Sequence, residues 1–266
     1  MFNLQTIKKF SEKLFKRITK LTNWERALIL IILILPFIFN KSNIETFQQK
    51  SKFVMKENEN VFDDFYCSIY DDLVYDVLKN EFEFETINKY AKPSKQSRIL
   101  DIGSGTGHHV NYYSNRNISS EGLDNSTYMI NKSRKNFPRS SFKHGNALET
   151  LTYMPNKFTH ALCLYFTIYY IKDKKLFLEN CYKWLMPRGM LVLHLVDRAT
   201  FDPMLNSGNP LLLVSPQKYA KQRITNTVVK FKDFLYNSDF KYKDSDNVHF
   251  IETFKDDKTG NVRKHD

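Results

Sequence analysis

The segment RILDIGSGTGHH, residues 98–109, constrains the fold more than any other part of this chain. Residues 98–102 have the apolar run of a buried strand, and Gly103, Gly105 and Gly107 follow at every second position. The chain has only eight glycines in 266 residues. Glycine costs about 0.5–1 kcal/mol in regular structure, so this cluster requires a local reason. The pattern predicts either a tight turn from strand to helix or a loop whose backbone contacts a ligand.

Strand-like and helix-like patterns alternate after this segment. The predicted strands cover 97–102, 118–123, 140–144, 158–165 and 189–196, and the predicted helices cover 107–115, 126–136 and 173–185. This alternation is typical of βαβ units, which build a mainly parallel sheet with helices on both faces. The carboxyl ends of parallel strands meet along one crevice, where ligands bind in such sheets.

The segments on either side of this region have less regular patterns. Residues 61–80 have apolar positions on one side and acids on the other, which predicts one helix, and a second helix is predicted from Thr86 to Ala91. Near the end of the chain, Val228–Tyr236 and Val248–Phe254 resemble two strands of an antiparallel hairpin that closes the same sheet. We expect the sequence to be truncated at Asp266, with a genuine end and a frayed tail as the alternative.

The first sixty residues differ from the rest. Residues 1–26 have apolar positions at helical spacing with lysines between them, which predicts a basic amphipathic helix suited to an anionic membrane surface. The uncharged run 27–39 would extend roughly 20 Å as a helix, against about 30 Å of hydrocarbon in a bilayer. The run is predicted to associate with a membrane, either as a short spanning helix or by inserting into one leaflet, and a buried core helix is the alternative. Thr22 and Glu25 have the spacing of a capping box, and 40–60 is predicted to be a linker.

The composition limits the remaining function classes. The net charge is +11, but seven basic and two acidic residues of the total lie within 1–26, so nucleic-acid binding is not favoured. The three cysteines, Cys67, Cys163 and Cys181, form no paired motif, which favours a reducing compartment, and Cys163 lies in an apolar run that predicts a buried thiol. No metal site is predicted.

Polar residues follow the first three predicted strands in order. Asp101 comes directly before the glycine cluster, and Asp124 ends the second strand, where a carboxylate can accept hydrogen bonds from a ribose diol. Met129 lies one helical turn further on, and Asn146 with Ala147 follow the third strand. An acid at a strand end is often only a helix cap, and GNA is a common turn. Together, the three signals describe one nucleoside with an amino acid attached.

These motifs resemble those of S-adenosylmethionine-dependent methyltransferases of the Rossmann-like, seven-stranded type. The resemblance covers residues 61–266 and rests on RILDIGSGTGHH, GLDNSTYM, KHGNAL, FTHALCLYFTIYYI and LMPRGMLVLHL. It implies an α/β fold with a mostly parallel seven-stranded sheet, preceded here by the membrane-associated helices. It also implies that the insertion 198–216 recognises substrate.

The resemblance assigns the cofactor contacts residue by residue. The methionine end of S-adenosylmethionine would be lined by Asp101, Gly103, Ser104 and Gly105, and its ribose would be held by Asp124. The adenine would lie beside Asn125 and Met129, with its edge against Asn146 and Ala147. Tyr165 would border the transferred methyl group. Tyr70 would close over the methionine carboxylate. The chain departs from the family pattern at Asn146, where an acid is usual. It departs again at the start of the fourth strand, where the family has an aromatic–Asp pair and this chain has Phe158, Thr159 and His160.

The catalytic residues are less defined, because an in-line methyl transfer mainly needs positioning. A base is required only when the nucleophile is protonated at attack, and Tyr169, Tyr170, His194 and Asp197 are the candidates, with His194 and Tyr169 preferred. His194 alternates with apolar neighbours in a strand, which favours a buried, satisfied side chain over a base.

The sequence therefore predicts a membrane-tethered methyltransferase acting on a lipid or a lipophilic small molecule, with its catalytic domain in a reducing, cytoplasm-like compartment. A non-catalytic binding module of the same fold is the alternative. A nicotinamide-dependent oxidoreductase is disfavoured, because the glycines are spaced G-x-G-x-G and not G-x-G-x-x-G.

Overall fold

The computed structural model describes residues 22, 24–25, 53–197, 201–202, 219–242 and 247–266. The chain divides into two compact units, Met1–Ser51 and Lys52–Asp266. Most of the predicted membrane segment, and most of the insertion 198–216, lie outside the described residues. Within the described part, no helix combines the length and the apolar character that crossing a bilayer requires.

The predicted capping box in the first unit is confirmed. The backbone amide and the hydroxyl of Thr22 both donate to Glu25 Oε2 at 2.8 Å, and the Glu25 amide donates back to Thr22 Oγ1 at 3.4 Å. These reciprocal bonds satisfy backbone donors that a helix start otherwise leaves unpaired.

The second unit alternates strands and helices. The strands are β1 (Phe53–Lys56), β2 (Arg98–Ile102), β3 (Ser119–Asp124), β4 (Ser141–His144), β5 (Phe158–Cys163), β6 (Leu185–Leu193), β7 (Asn226–Lys230), β8 (Phe234–Tyr242), β9 (Val248–Asp256) and β10 (Val262–His265). The helices are α1 (Asp64–Val74), α2 (Val77–Tyr90), α3 (His108–Ser114), α4 (Thr127–Asn136), α5 (Thr167–Tyr170) and α6 (Lys174–Trp184), with short 3-10 turns at Asn58–Val61 and Thr150–Thr152.

A five-stranded parallel sheet forms the centre, in the order β4-β3-β2-β5-β6. The pleat of β2 sends Leu100 into a core that contains Phe177 of α6, and Ile99 into another that contains Ile87 of α2. The predicted parallel sheet with helices on both faces is thus confirmed. Its predicted element bounds agree to within two residues, with two exceptions: β6 covers 185–193 rather than 189–196, and α2 begins at Val77 rather than at the predicted Thr86.

The prediction of a single seven-stranded sheet is wrong. The C-terminal strands form a second sheet of five strands, in the order β1-β10-β9-β8-β7, in which only the β1–β10 pair is parallel. The stretch expected to be one strand, 228–236, is divided between β7 and β8, and Phe53–Lys56 from the predicted linker supplies an edge strand. This sheet has its own aromatic core, where Tyr236 and Phe254 pack against Tyr66 of α1.

The helix predicted over 61–80 is two helices. Tyr75 has extended backbone angles (φ −70°, ψ 124°), and Asp76 begins α2 by accepting a hydrogen bond from the Lys79 amide at 2.9 Å. An Asp side chain that caps a helix stabilises a new start, and the apolar pattern alone does not reveal it. The break lets α1 pack on the second sheet while α2 covers the parallel one.

Candidate active site

A cavity of about 700 Å³ lies at the carboxyl edge of the parallel sheet. The turns after β2, β3, β4 and β5 form part of its wall, and further residues come from α1, α2, β9 and the segments beside them. Every cofactor contact that the sequence predicts lines this cavity: Asp101, Gly103, Ser104, Gly105, Asp124, Asn125, Met129, Asn146, Ala147 and Tyr165. The parallel topology therefore brings residues from four strand ends around one space.

Two of the clustered glycines serve different purposes. Gly107 begins α3 with φ +95°, and a Cβ atom there would lie 2.6 Å from Phe142 Cζ, so this glycine permits close packing. Gly105 has φ +53°, but a Cβ atom there would meet only Tyr70 Cε1, at 3.8 Å, and would project toward the cavity. Both reasons offered by the sequence, a tight turn and a ligand-facing backbone, therefore hold, at different positions.

The Asp124 carboxylate ties two of the strand-end turns together. Its Oδ2 accepts the Gly105 amide at 2.9 Å, and its Oδ1 accepts the Ser126 amide at 2.8 Å. Burial raises the pKa of Asp124, and these amide bonds oppose the shift. Ser126 is the residue that caps α4, by accepting the Met129 amide at 3.2 Å. Asp124 is therefore free of the capping role, and each of its oxygens keeps a lone pair for a ribose hydroxyl.

Asp101 is a buried carboxylate without a hydrogen-bond donor in the described part of the chain. Its exposed fraction is 4%, and it lines the cavity. Its pKa is raised to about 6, mainly by burial; His109 opposes the rise, and the charges of Asp124 and Glu83 contribute to it. A buried, unpaired carboxylate is costly, and a cation brought to it recovers part of that cost. The ammonium and sulfonium groups of S-adenosylmethionine fit this requirement.

The turn after β4 is held by its own hydrogen bonds. Asn146 Oδ1 accepts the Leu148 amide at 2.9 Å, and the Ala147 carbonyl accepts Asn180 Nδ2 at 3.0 Å. An adenine amino group would therefore share an oxygen that already accepts one bond. Met129 is 2% exposed and Asn125 is exposed, so an adenine between them would have one apolar and one polar neighbour.

Tyr165 is held in a rare backbone conformation at the end of β5. Its φ is +53°, which costs a non-glycine residue of order 1–3 kcal/mol and is typical of functional sites. Its amide donates to His194 Nδ1 at 3.3 Å, and Lys79 Nζ lies 4.7 Å from its ring centroid. These contacts fix the ring at the cavity, where the sequence predicts the transferred methyl group.

The structure does not bring the two preferred base candidates into the cavity wall. His194 lies beyond β6 with Nδ1 3.2 Å from Glu83 Oε1, and the Tyr169 hydroxyl accepts the Val196 amide at 2.9 Å. Both side chains are engaged by neighbouring protein groups. Of the two other candidates, Tyr170 lines the cavity and Asp197 does not.

Two glutamates that the sequence analysis missed line the cavity. Glu83 of α2 is 7% exposed and lies 3.0 Å from His109 Nε2 and 3.7 Å from Lys79 Nζ. Burial would raise the pKa of Glu83, but His109, His194 and Lys79 hold it well below its usual range. Glu252 of β9 accepts hydrogen bonds from the hydroxyls of Tyr66 at 3.0 Å and Tyr236 at 2.8 Å. No sequence signal marked either one, because each depends on packing between distant elements.

The fold and the cavity define a class of protein: a Rossmann-like α/β methyltransferase fold, with its ligand cavity at the strand ends. Residues 100–193 match the family model described as "Methyltransferase domain". No curated protein matches the sequence significantly.

Solved structures show the same fold. SAM-bound CalS10 from Micromonospora echinaspora, an amino pentose methyltransferase, is 17% identical to this chain with a TM-score of 0.51. The match covers 77% of this chain and 80% of CalS10. The sugar N-methyltransferase KedS8 from Streptoalloteichus sp. is 17% identical with a TM-score of 0.52, and the match covers 75% of this chain and 74% of KedS8. An S-adenosylmethionine-dependent methyltransferase from Clostridium acetobutylicum is 15% identical with a TM-score of 0.51, and the match covers 75% of this chain and 77% of that protein. This chain spans only about half the length of two other matched structures, 53% of one and 50% of the other.

The family match and the shared fold support a methyltransferase, with S-adenosylmethionine as its cofactor. The cavity has the features this cofactor requires, namely an unpaired buried carboxylate at Asp101, an open backbone at Gly105 and an acid at the second strand end.

Proposed function

We propose that this protein transfers a methyl group from S-adenosylmethionine to a small-molecule acceptor. The observation that carries the proposal is that Asp101, Gly105, Asp124 and Asn146, from three successive strand ends, line one cavity. Hydrogen-bond acceptors for a sugar diol and an ammonium group thereby face the same space as bare backbone.

When bound, S-adenosylmethionine supplies an electrophilic methyl group on a sulfonium. The chain's own residues bind and orient. Asp101 pairs with the amino group, Asp124 accepts from the ribose diol, and the amide-fixed turn after β4 positions the adenine edge. Tyr165, held by its strained backbone, limits where the methyl carbon lies. Such positioning supplies most of what an in-line displacement needs.

The acceptor belongs where β9 lines the cavity, because β9 is a strand of the second sheet and carries none of the predicted cofactor contacts. Two of the structures that share the fold act on sugars, CalS10 on an amino pentose and KedS8 on a sugar nitrogen. These relatives support a small molecule as the acceptor class here.

Calorimetric titration of the full chain with S-adenosylhomocysteine tests cofactor binding. Asp124→Asn removes a charge at the predicted ribose contact, and we expect affinity to fall by about tenfold or more. Glu149→Gln is the matched control, because Glu149 is exposed in the turn after β4 and does not line the cavity. Equal affinity of both variants and the unaltered chain would contradict the proposed site. Transfer of label from S-[methyl-³H]adenosylmethionine to acceptors then separates an enzyme from a non-catalytic binding module.

Membrane association through residues 1–39 stays a prediction, as does a lipophilic acceptor. Its support is the basic and apolar pattern of that segment. The full chain should co-sediment with vesicles containing anionic lipid, and binding should weaken in high salt. A chain that stays in the supernatant at low salt would overturn it.

A further inference from the structure

We infer that Glu252 forms the acceptor subsite of this cavity and that the acceptor it takes is an amine. The inference rests on the proposed function, because it names the substrate class of the same site. Glu252 lies on β9, in the second sheet, and its side chain is 6% exposed while lining the cavity. It thus comes from a different sheet than the strand ends that carry the predicted cofactor contacts.

The two oxygens of Glu252 have different surroundings. Oε1 accepts hydrogen bonds from the hydroxyls of Tyr66 and Tyr236, at 3.0 and 2.8 Å. Among the described residues, Oε2 has only His265 Nδ1 as a neighbouring donor, at 3.5 Å, which is beyond a good hydrogen bond. One oxygen therefore anchors the carboxylate, and the other keeps its capacity to accept from a ligand.

The neighbours of Glu252 do not neutralise its charge. Burial and the nearby carboxylate raise the pKa values of Tyr66 and Tyr236, so both stay neutral donors. Arg263 Nε donates to His265 Nε2 at 2.7 Å, which leaves that nitrogen without a proton and the ring uncharged. Arg263 itself is paired with Asp63. The negative charge at Glu252 therefore remains available to a cation.

The cavity as a whole favours a cation. Seven carboxylates and three lysines line it, although the protein has a net charge of +11. Two of those lysines are already paired, Lys79 with Glu83 at 3.7 Å and Lys56 with Asp63 at 3.8 Å. The aromatic rings of Tyr165, Tyr170 and Phe250 line the same region, and ring faces attract cationic nitrogen.

An amine uses these features in the transfer step itself. The neutral amine nitrogen attacks the methyl carbon, the carbon–nitrogen bond forms, and the carbon–sulfur bond breaks with its electron pair passing to sulfur. The positive charge thereby moves from sulfur to nitrogen, and the methylated ammonium leaves as the product. A carboxylate that accepts an N–H bond stabilises the charge as it develops. A hydroxyl acceptor would lose a proton instead and would gain less from this carboxylate.

The test measures binding of matched amine and alcohol probes to the full chain with saturating S-adenosylhomocysteine. The pairs are ethylamine and ethanol, cyclohexylamine and cyclohexanol, and glucosamine and glucose. Ligand-observed NMR measures the binding of each probe. We expect the amine to bind about tenfold or more tightly than its alcohol in at least one pair. Absence of amine preference in every pair would overturn the inference.

Variants locate the preference. Glu252→Gln should reduce amine affinity by about 10- to 100-fold and leave affinity for S-adenosylhomocysteine unchanged. Asp239→Asn is the matched control, because Asp239 lies on the adjacent strand β8, pairs with Lys241 and does not line the cavity. Undiminished amine binding by Glu252→Gln would refute the assignment. If this variant is unstable in thermal unfolding, the amine preference of the unaltered chain still decides the substrate class.

Two titrations distinguish failure of the proposed function from failure of the amine inference. Titration with S-adenosylhomocysteine alone reports the cofactor site, and the amine titration repeated without it reports Glu252. Loss of the first with retention of the second would contradict the methyltransferase proposal and leave the amine subsite standing.

Discussion

Alanine substitutions at two glycines of one turn should have different consequences. One variant should mainly lose stability, and the other should mainly lose affinity for the cofactor. Gly105 and Gly107 are two residues apart, and both have positive φ, +53° and +95°. A left-handed conformation costs an alanine about 1–2 kcal/mol, and alanine recovers roughly 0.4–1 kcal/mol by restricting the unfolded chain. Backbone strain alone therefore lowers the free energy of unfolding by about 1 kcal/mol in either variant.

The surroundings of the added methyl group separate the two variants. At Gly107 the Cβ atom would lie 2.6 and 2.8 Å from two atoms of the Phe142 ring, which adds an overpacking cost of about 1–3 kcal/mol. At Gly105 the methyl group would meet no protein atom closer than 3.8 Å and would enter the cavity. Gly107→Ala should thus lose about 2–4 kcal/mol of stability, and Gly105→Ala about 1 kcal/mol.

Cofactor affinity should follow the reverse order. A methyl group at Gly105 takes space that the cofactor needs, so affinity for S-adenosylhomocysteine should fall by about tenfold or more. Gly107 does not line the cavity, so its variant should bind normally while it remains folded. Urea unfolding gives the first quantity and calorimetric titration the second. Equal stability losses, or unchanged affinity in Gly105→Ala, would refute this account of the turn.

Three further predictions follow from other parts of the structure. Because the folded-state pKa of Asp101, about 6, exceeds its usual 3.8, the folded state binds this proton more tightly, so without cofactor the free energy of unfolding should fall by about 3 kcal/mol as pH rises from about 3 to 7. Urea titrations at several pH values should show this fall, and Asp101→Asn should abolish it; a flat profile in the unaltered chain would contradict the assignment. Asp173→Ala removes the side chain that accepts the Leu176 amide at the start of α6, and should cost about 1 kcal/mol in urea unfolding without changing cofactor affinity. The thiols of Cys67, Cys163 and Cys181 are buried with pKa values raised to about 12, so they should be unreactive toward Ellman's reagent at pH 8 until urea unfolds the chain, and rapid native labelling would contradict their burial.

Local sequence patterns were sufficient for the parallel sheet and its turns. An apolar run such as 98–102, followed by glycines and an amphipathic helix, has one stable arrangement in a βαβ unit. Because parallel strand ends meet along one edge, positions at successive strand ends could be grouped before any contact was known. Asp101, Asp124 and Asn146 were found this way, and they line one cavity.

The sheet to which the later strands belong could not be read from the sequence. Alternating apolar residues in Val248–Phe254 indicate a strand, but pairing depends on partners far away along the chain. Phe53–Lys56 joins the last strand, β10, across more than 200 residues, and nothing local marks it as a strand of that sheet. The break between α1 and α2 was missed for a related reason, because one capping aspartate outweighed a continuous apolar pattern.

The sequence by itself determined the α/β class, the glycine turn and the residues at the strand ends, because each depends on local periodicity and on the chemistry of neighbouring side chains. Only the tertiary structure decided the rest of the cavity wall. Glu83 and Glu252 come from a helix and a second sheet that meet the strand ends through packing, and their carboxylates contact His109, Tyr66 and Tyr236. Such contacts depend on distances between residues remote in sequence, which no local pattern records.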